Sequence, residues 1–273
     1  MKREFAVLGI IIGIVGGFFA GWLIPALITN VAGGNLVERI QNRPDGGYII
    51  IGTSSDYPPF EDVYTNGTFY GFDIDVCNLI AAELGVSIEW KDMDFDSLIG
   101  ACRGGTIDMI AAAMTYTPER AQKLAASLSY INVSQVVIVN ETTSLPPISE
   151  LADLSILGAN QLGVQSGTTL YDDLVLAGLT SQIQTFARAD LLMIDLAVTG
   201  GITAAYVDEP VYIAWSGVYN IDVVWTSGEP EQFSLWCRHR SADLLYIINQ
   251  VLHKALQDGT MDDLYNKWFG GIP

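Results

Sequence analysis

Two stretches of this 273-residue chain read alike. Leu98-Ile99-Gly100-Ala101-Cys102-Arg103-Gly104-Gly105-Thr106-Ile107-Asp108 and Met193-Ile194-Asp195-Leu196-Ala197-Val198-Thr199-Gly200-Gly201-Ile202-Thr203 each run from helix through a double glycine into strand. Around the first, the spacing predicts strands at Tyr48–Gly52, Val86–Trp90, Ile107–Ala111 and Val133–Val139. Helices are predicted over Gly71–Leu84 and Phe95–Arg103 and from Thr117-Pro118-Glu119. Around the second, strands are predicted at Gln161–Val164, Ile183–Phe186 and Thr203–Val207, with helices over Thr169–Ala177, Asp190–Thr199 and Glu209–Trp215. Strands alternating with helices form parallel βαβ sheets. Two such blocks predict an α/β chain of two lobes with a ligand cleft between them. The tail, Ser241–Phe269, reads as an amphipathic helical segment.

Residues Phe5–Ile28 carry no charge and follow Lys2 and Arg3. A span of that length exceeds the ~20 residues that cross a bilayer and is longer than the ~7–15 of a signal-peptide core. The basic pair keeps the N-terminus cytoplasmic. This predicts an uncleaved single-pass anchor over 1–28, with a long cleaved signal as the alternative; the remainder is exported either way. Thr29–Gly47 is polar and glycine-containing and reads as a linker. The net charge of −18 excludes nucleic acid as the natural partner, and 50% hydrophobic residues argue against disorder. Cys77, Cys102 and Cys237 show no CxxC pattern. Cys77 and Cys102 read as small buried apolar residues, with a disulfide between them as the alternative. Asn66, Asn132 and Asn140 open Asn-x-Ser/Thr triplets, usable because the chain is exported.

Arg120 is the most informative side chain. It lies in the first turn of the helix begun by Thr117-Pro118, where a cation opposes the helix dipole at a cost of ~0.3–1 kcal/mol unless an anion arrives. Guanidinium and helix N-terminus together suit a carboxylate; the alternative is an exposed arginine paired with Glu119 or Glu141. Gln165-Ser166-Gly167-Thr168-Thr169 joins a strand to a helix and offers either free N–H groups for an anion or plain capping. Asp208 ends an apolar strand, where ligand groups collect in open α/β sheets; it reads as an ammonium partner or as a helix cap. Tyr57 and Phe95 lie in loops after strands, where their rings face a cleft or the core. His239 and His253 are the only histidines. With no HExxH, no Cys/His cluster, no GxSxG, no SxxK and no phosphate loop, the reading assigns no catalytic residue, no metal and no cofactor.

Five motifs then occur in order: Gly52-Thr53-Ser54-Ser55-Asp56-Tyr57-Pro58-Pro59-Phe60-Glu61, Gly71-Phe72-Asp73-Ile74-Asp75, Thr115-Tyr116-Thr117-Pro118-Glu119-Arg120, Gly163-Val164-Gln165-Ser166-Gly167-Thr168-Thr169, and Asp258-Gly259-Thr260 with Lys267-Trp268-Phe269-Gly270. Together they resemble the family-3 solute-binding proteins of ABC importers, the polar amino-acid-binding proteins with the type II periplasmic-binding-protein fold. The resemblance implies that Arg120 binds a ligand α-carboxylate, helped by Thr115 and Thr169. It implies that Asp208 takes the α-ammonium with the main chain of Ala113. Tyr57 and Phe95 would flank the ligand side chain, and Ser54, Gln165 and Glu61 would lie nearest its pocket or rim. It also implies lobe 1 over 48–139 and 233–273, lobe 2 over 140–232, and closure by hinge motion.

The expected protein is therefore an extracytoplasmic, monomeric receptor, not an enzyme. It would deliver a polar or cationic free amino acid, arginine or glutamine, to a membrane ABC permease. The alternatives are a dehydratase-type enzyme on the same fold and a sensory ectodomain.

Overall fold

The computed structural model describes residues 35–270; the expected anchor over 1–28 lies outside them. Along the chain the strands are β1 (Tyr48–Thr53), a small hairpin of β2 (Asp62–Val63) and β3 (Phe69–Tyr70), β4 (Ser87–Asp92), β5 (Met109–Ile110), β6 (Ala125–Val133), β7 (Gln135–Asn140), β8 (Leu162–Gln165), β9 (Ile183–Phe186), β10 (Ala204–Asp208), β11 (Ile221–Thr226) and β12 (Glu231–Cys237). They form two five-stranded sheets ordered β4-β1-β5-β12-β6 and β11-β7-β10-β8-β9. β1 pairs parallel with β4 and β5, and β8 parallel with β9 and β10. β12 and β7 run antiparallel to their neighbours.

The helices are α1 (Leu36–Gln41), α2 (Phe72–Leu84), α3 (Leu98–Gly104), α4 (Pro118–Lys123), α5 (Thr169–Leu176), α6 (Ala189–Ile194, continued by a π-helical turn over Asp195–Thr199), α7 (Glu209–Ser216), α8 (Ala242–Asp258) and α9 (Thr260–Phe269). Each sheet is buried on both faces. The first separates a large apolar cluster containing Ile49, Phe60, Phe72 and Phe233 from a smaller one around Leu98, Ile107 and Trp236. The second separates the cluster of Val137, Leu162 and Leu174 from that of Ile138, Leu192 and Ile202. Burial on both faces explains why β7 reads Gln-Val-Val-Ile-Val-Asn, a continuous apolar run without alternation.

Three expectations need correction. The apolar run placed in lobe 1 as 133–139 is β7, which pairs with β10 and β11 in the second sheet. The chain leaves the first sheet at Ser134, and β6 precedes it; β6 escaped notice because its burial follows no clean alternation. The return runs from β11 to β12 through 227–230, two strands that the apolar spacing did not reveal. The segment 29–47 is not linker throughout. Leu36 and Ile40 of α1 are buried in the first core, and the Arg43 guanidinium donates to Asp108 Oδ2 at 2.6 Å. The tail is helical as expected, in two helices separated at Gly259, whose φ of 86° is left-handed.

The three cysteines are buried and free, so Cys77 and Cys102 do not pair. Burial pushes the thiols of Cys102 and Cys237 up to about 12 and that of Cys77 well above its ordinary value.

The twin segments make the same contact in both sheets. A Cβ on Gly52 of β1 would lie 2.3 Å from Ile107 Cδ1, and one on Gly163 of β8 would lie 2.3 Å from Ile202 Cδ1. Ile107 and Ile202 are the buried residues that follow the two double glycines. Each needs a glycine on the strand beneath it. Gly163→Ala should therefore lower stability by about 1–3 kcal/mol through overpacking, read as a lower denaturation midpoint. A compensating Ile202→Val should recover part of the loss.

Candidate functional site

The carboxyl ends of the strands of both sheets converge on one small cavity. It is bounded by Tyr57, Phe95, Ala113, Thr115, Arg120, Gln165, Thr169, Asp208 and Glu231, together with Thr168 and Leu170, and has a volume of about 20 Å³. That is room for about one water molecule. Eight of the nine expected ligand residues meet there.

Arg120 is held as the sequence suggested. Thr117 caps α4, its Oγ1 accepting from the Arg120 main-chain N–H at 3.1 Å, and Pro118 occupies the first turn. The side chain is buried, 7% exposed, so the surface-arginine alternative fails. Its guanidinium donates to Thr115 O at 2.8 Å and, across the cleft, to Gly167 O at 3.0 Å, and its central carbon lies 5.5 Å from the centre of the Phe95 ring. Burial holds its pKa below the ordinary arginine value, partly offset by Glu231, Asp172 and Glu119. A buried guanidinium bonded only to neutral carbonyls retains most of its attraction for an anion.

Asp208 ends β10 with its carboxylate turned to the first sheet. Tyr57 Oη donates to Oδ2 at 2.7 Å, and Gln135 Nε2 donates to Oδ1 at 3.2 Å. Burial and the nearby Glu231 push its pKa up to about 7, against the two hydrogen bonds. Asp208 starts α7 but makes no side-chain cap there, so the cap alternative fails too. Ala113 lies at the cavity wall with φ 46°, a left-handed value unusual for a side-chain-bearing residue. Its N–H donates to Asp73 Oδ2 at 2.9 Å, and Tyr130 Oη donates to the same carboxylate at 2.8 Å. Asp73 therefore braces the site from α2 instead of capping that helix, and burial pushes it up to about 6.

Ser54 is the expected site residue that does not reach the cavity. Its hydroxyl donates to Asp56 Oδ1 at 2.8 Å, and Asp56 Oδ2 accepts from the Ala189 N–H at the start of α6. Arg188 Nη2 donates to Ser55 O at 3.3 Å beside it, and Ser166 Oγ donates to Asp96 Oδ2 at 3.2 Å at another point of the mouth. The Ser54–Asp56 pair thus fastens the first sheet's loops to the second sheet's helix. Burial pushes Asp56 up to about 6. Glu61 lies at no rim: it is 1% exposed inside the first core, and burial and then its acidic neighbours, Asp73 first, push its pKa well above the ordinary carboxylate value.

Two site residues escaped the sequence reading. Gln135 carried a signal, a polar residue beside a long apolar run. Glu231 carried none, because Glu229-Pro230-Glu231 looks like any solvated acidic turn. Its Oε2 accepts from Thr115 Oγ1 and, at 2.9 Å, from Thr169 Oγ1.

The folded-state pKa values of Asp56, Asp73 and Asp208 all lie above the ordinary carboxylate value, so the folded form binds protons more tightly than the unfolded chain. The stabilisation from this source is complete below about pH 4 and is lost as pH rises through about 6 for Asp56 and Asp73 and about 7 for Asp208. Thermal melts without ligand should give a higher midpoint at pH 5 than at pH 8. Asp208→Asn should narrow that difference; an equal difference in the variant would show that Asp208 does not titrate in this range.

A family model described as bacterial extracellular solute-binding proteins, family 3, matches residues 49–271. An arginine-binding extracellular protein of Bacillus subtilis (strain 168) is 27% identical over 233 residues, spanning 82% of this chain and 86% of that one. Among solved structures, an ancestral arginine-binding protein bound to arginine matches with a TM-score of 0.75 at 31% identity, covering 81% of this chain and 98% of that one. An ancestral amino-acid-binding protein that is a precursor of cyclohexadienyl dehydratase matches with a TM-score of 0.77 at 30% identity, covering 86% and 100%.

Proposed function

We infer the function from the premise that this chain belongs to family 3 of the bacterial extracellular solute-binding proteins: it is the extracytoplasmic receptor of an amino-acid ABC importer. It captures a free amino acid between two lobes and presents it to the membrane permease. The observation that carries this reading is the opposed pair of Arg120 and Asp208, a buried cation and a buried carboxylate in one cavity. A zwitterion supplies a partner to each, and both contacts strengthen where water is excluded.

The geometry supports a division of roles. Arg120, with the hydroxyls of Thr115 and Thr169, takes the ligand carboxylate. Asp208, aligned by Tyr57 and Gln135, takes the ammonium with the help of the Ala113 main chain. Phe95, Tyr57 and Gln165 contact the side chain. Arginine and glutamine are the side chains favoured, consistent with the arginine-binding relatives. Lobe 1 comprises about 36–134 with 231–270 and lobe 2 about 135–226, and the two chain passages at 134 and 227–230 form the hinge. The uncharged segment 5–28 anchors the receptor to the outer face of the membrane.

A panel of the twenty amino acids tests this by thermal shift, since a ligand stabilises by RT ln(1+[L]/Kd). At least one polar or cationic amino acid should raise the midpoint; a flat panel would refute the reading. Arg120→Ala should weaken binding of that ligand about 30-fold or more while the circular dichroism spectrum stays native. Unchanged affinity would remove Arg120 from the site.

Catalysis on the same fold is the second reading. It is favoured by Asp208, which holds a proton near neutrality inside the cavity and so has an acid's chemistry. Prolonged incubation with the bound amino acid, followed by NMR, separates the two. Quantitative recovery of the ligand is expected, and conversion to a new species would favour the enzyme.

A further inference from the structure

Glu231 opens β12, where the chain returns from the second sheet to the first, and its carboxylate points into the cavity. One oxygen, Oε2, accepts from two hydroxyls that belong to opposite sheets. Thr115 follows β5 of the first sheet, and Thr169 opens α5 of the second. Those hydroxyls stand 3.4 Å apart. Among the charges that favour the Arg120 cation, Glu231 is the largest, ahead of Asp172 and Glu119. The groups that the same carboxylate disfavours are Asp208 on β10, Asp173 on α5, Tyr57 after β1 and Tyr206 on β10. A carboxylate oxygen that bridges Thr115 and Thr169 beside a buried guanidinium reproduces the contacts just assigned to a ligand's α-carboxylate.

We propose that Glu231 is a built-in occupant of the carboxylate seat, which clamps the two lobes in the absence of ligand and which an incoming amino acid must expel. The proposal rests on the amino-acid reading of the cleft. Its logic is stoichiometric. Each hydroxyl has a single proton to donate, so Glu231 and a ligand carboxylate cannot both hold Thr115 and Thr169. The remaining volume of about 20 Å³ also leaves no room for both. Apparent affinity therefore falls by the fraction of molecules in which the seat is free. An amine lacking the carboxylate does not compete for the seat, so Glu231 sets how strongly the receptor prefers an amino acid over its decarboxylated counterpart.

Two measurements on the full-length chain test this. The first needs no ligand. The Ala189 N–H is bonded across the cleft to Asp56, so its hydrogen exchange reports closure. Glu231→Ala should speed exchange of the peptide containing Ala189 about tenfold or more, and Glu231→Gln, which keeps an acceptor but loses the charge, should fall between. Exchange equal to wild type in both variants would overturn the clamp. The second measurement is calorimetry with arginine and with agmatine, its decarboxylated form. Both variants should bind arginine about tenfold tighter than wild type and agmatine tighter by a smaller factor, because agmatine gains from the released clamp and not from the vacated seat, so the arginine-to-agmatine preference rises. Arginine binding that is unchanged or weaker in both variants would overturn the competition. If no amino acid binds wild type or variant, the receptor reading falls instead, and the exchange measurement still decides whether Glu231 clamps the lobes.

Discussion

A carboxylate withdrawn from water loses several kcal/mol of hydration unless hydrogen bonds or an opposite charge replace it, and this cleft meets that demand repeatedly. Asp208 is supported by Tyr57 and Gln135, Asp56 by Ser54 and the N–H of Ala189, Asp73 by Tyr130 and the N–H of Ala113, and Glu231 by two threonine hydroxyls. Three of these four acids draw support from the opposite sheet. The closed arrangement of the lobes is in this sense a solution to the solvation of acids. Arg120, the cation among them, spends its hydrogen bonds on main-chain oxygens of both sheets and keeps its charge free for an anion.

The supporting framework is one packing solution used twice. In each sheet a double glycine turns a helix back into a strand, and the isoleucine after it settles on a glycine of the neighbouring strand. This brings the loops at the carboxyl ends of β1, β5, β8 and β10 to the cavity, and with them the aromatic, cationic and acidic groups. The antiparallel strands β7 and β12 differ in kind. They begin where the chain passes between the sheets, and each places a polar residue, Gln135 and Glu231, at its first position.

How far the sequence revealed this depended on whether a residue's role was local. Arg120 could be recognised because Thr117 and Pro118 announce a helix start and a cation there is out of place. Asp208 could be recognised because it ends an apolar strand. The βαβ alternation could be recognised because it repeats within thirty or so residues. Residues whose role is set across the fold were not visible. The passage at Ser134 is marked by no proline or glycine, so nothing local separates β7 from the first sheet. Ser54 and Asp56 are two positions apart and both polar; only the position of α6 decides that they fasten the lobes and do not face the ligand. Glu231 lies in an acidic, proline-containing turn, and its partners are 62 and 116 residues away.

The three thiols have a consequence for what holds such a chain together. Thiol exchange proceeds through the thiolate, and burial pushes the Cys102 and Cys237 thiols up to about 12, so the thiol form prevails at both at neutral pH. Burial, with Asp73 and Glu61 nearby, pushes the Cys77 thiol up as well. Burial and raised pKa values together slow exchange at all three thiols in the folded protein. With no disulfide among Cys77, Cys102 and Cys237, the fold draws none of its stability from a covalent cross-link and rests on packing and hydrogen bonds alone.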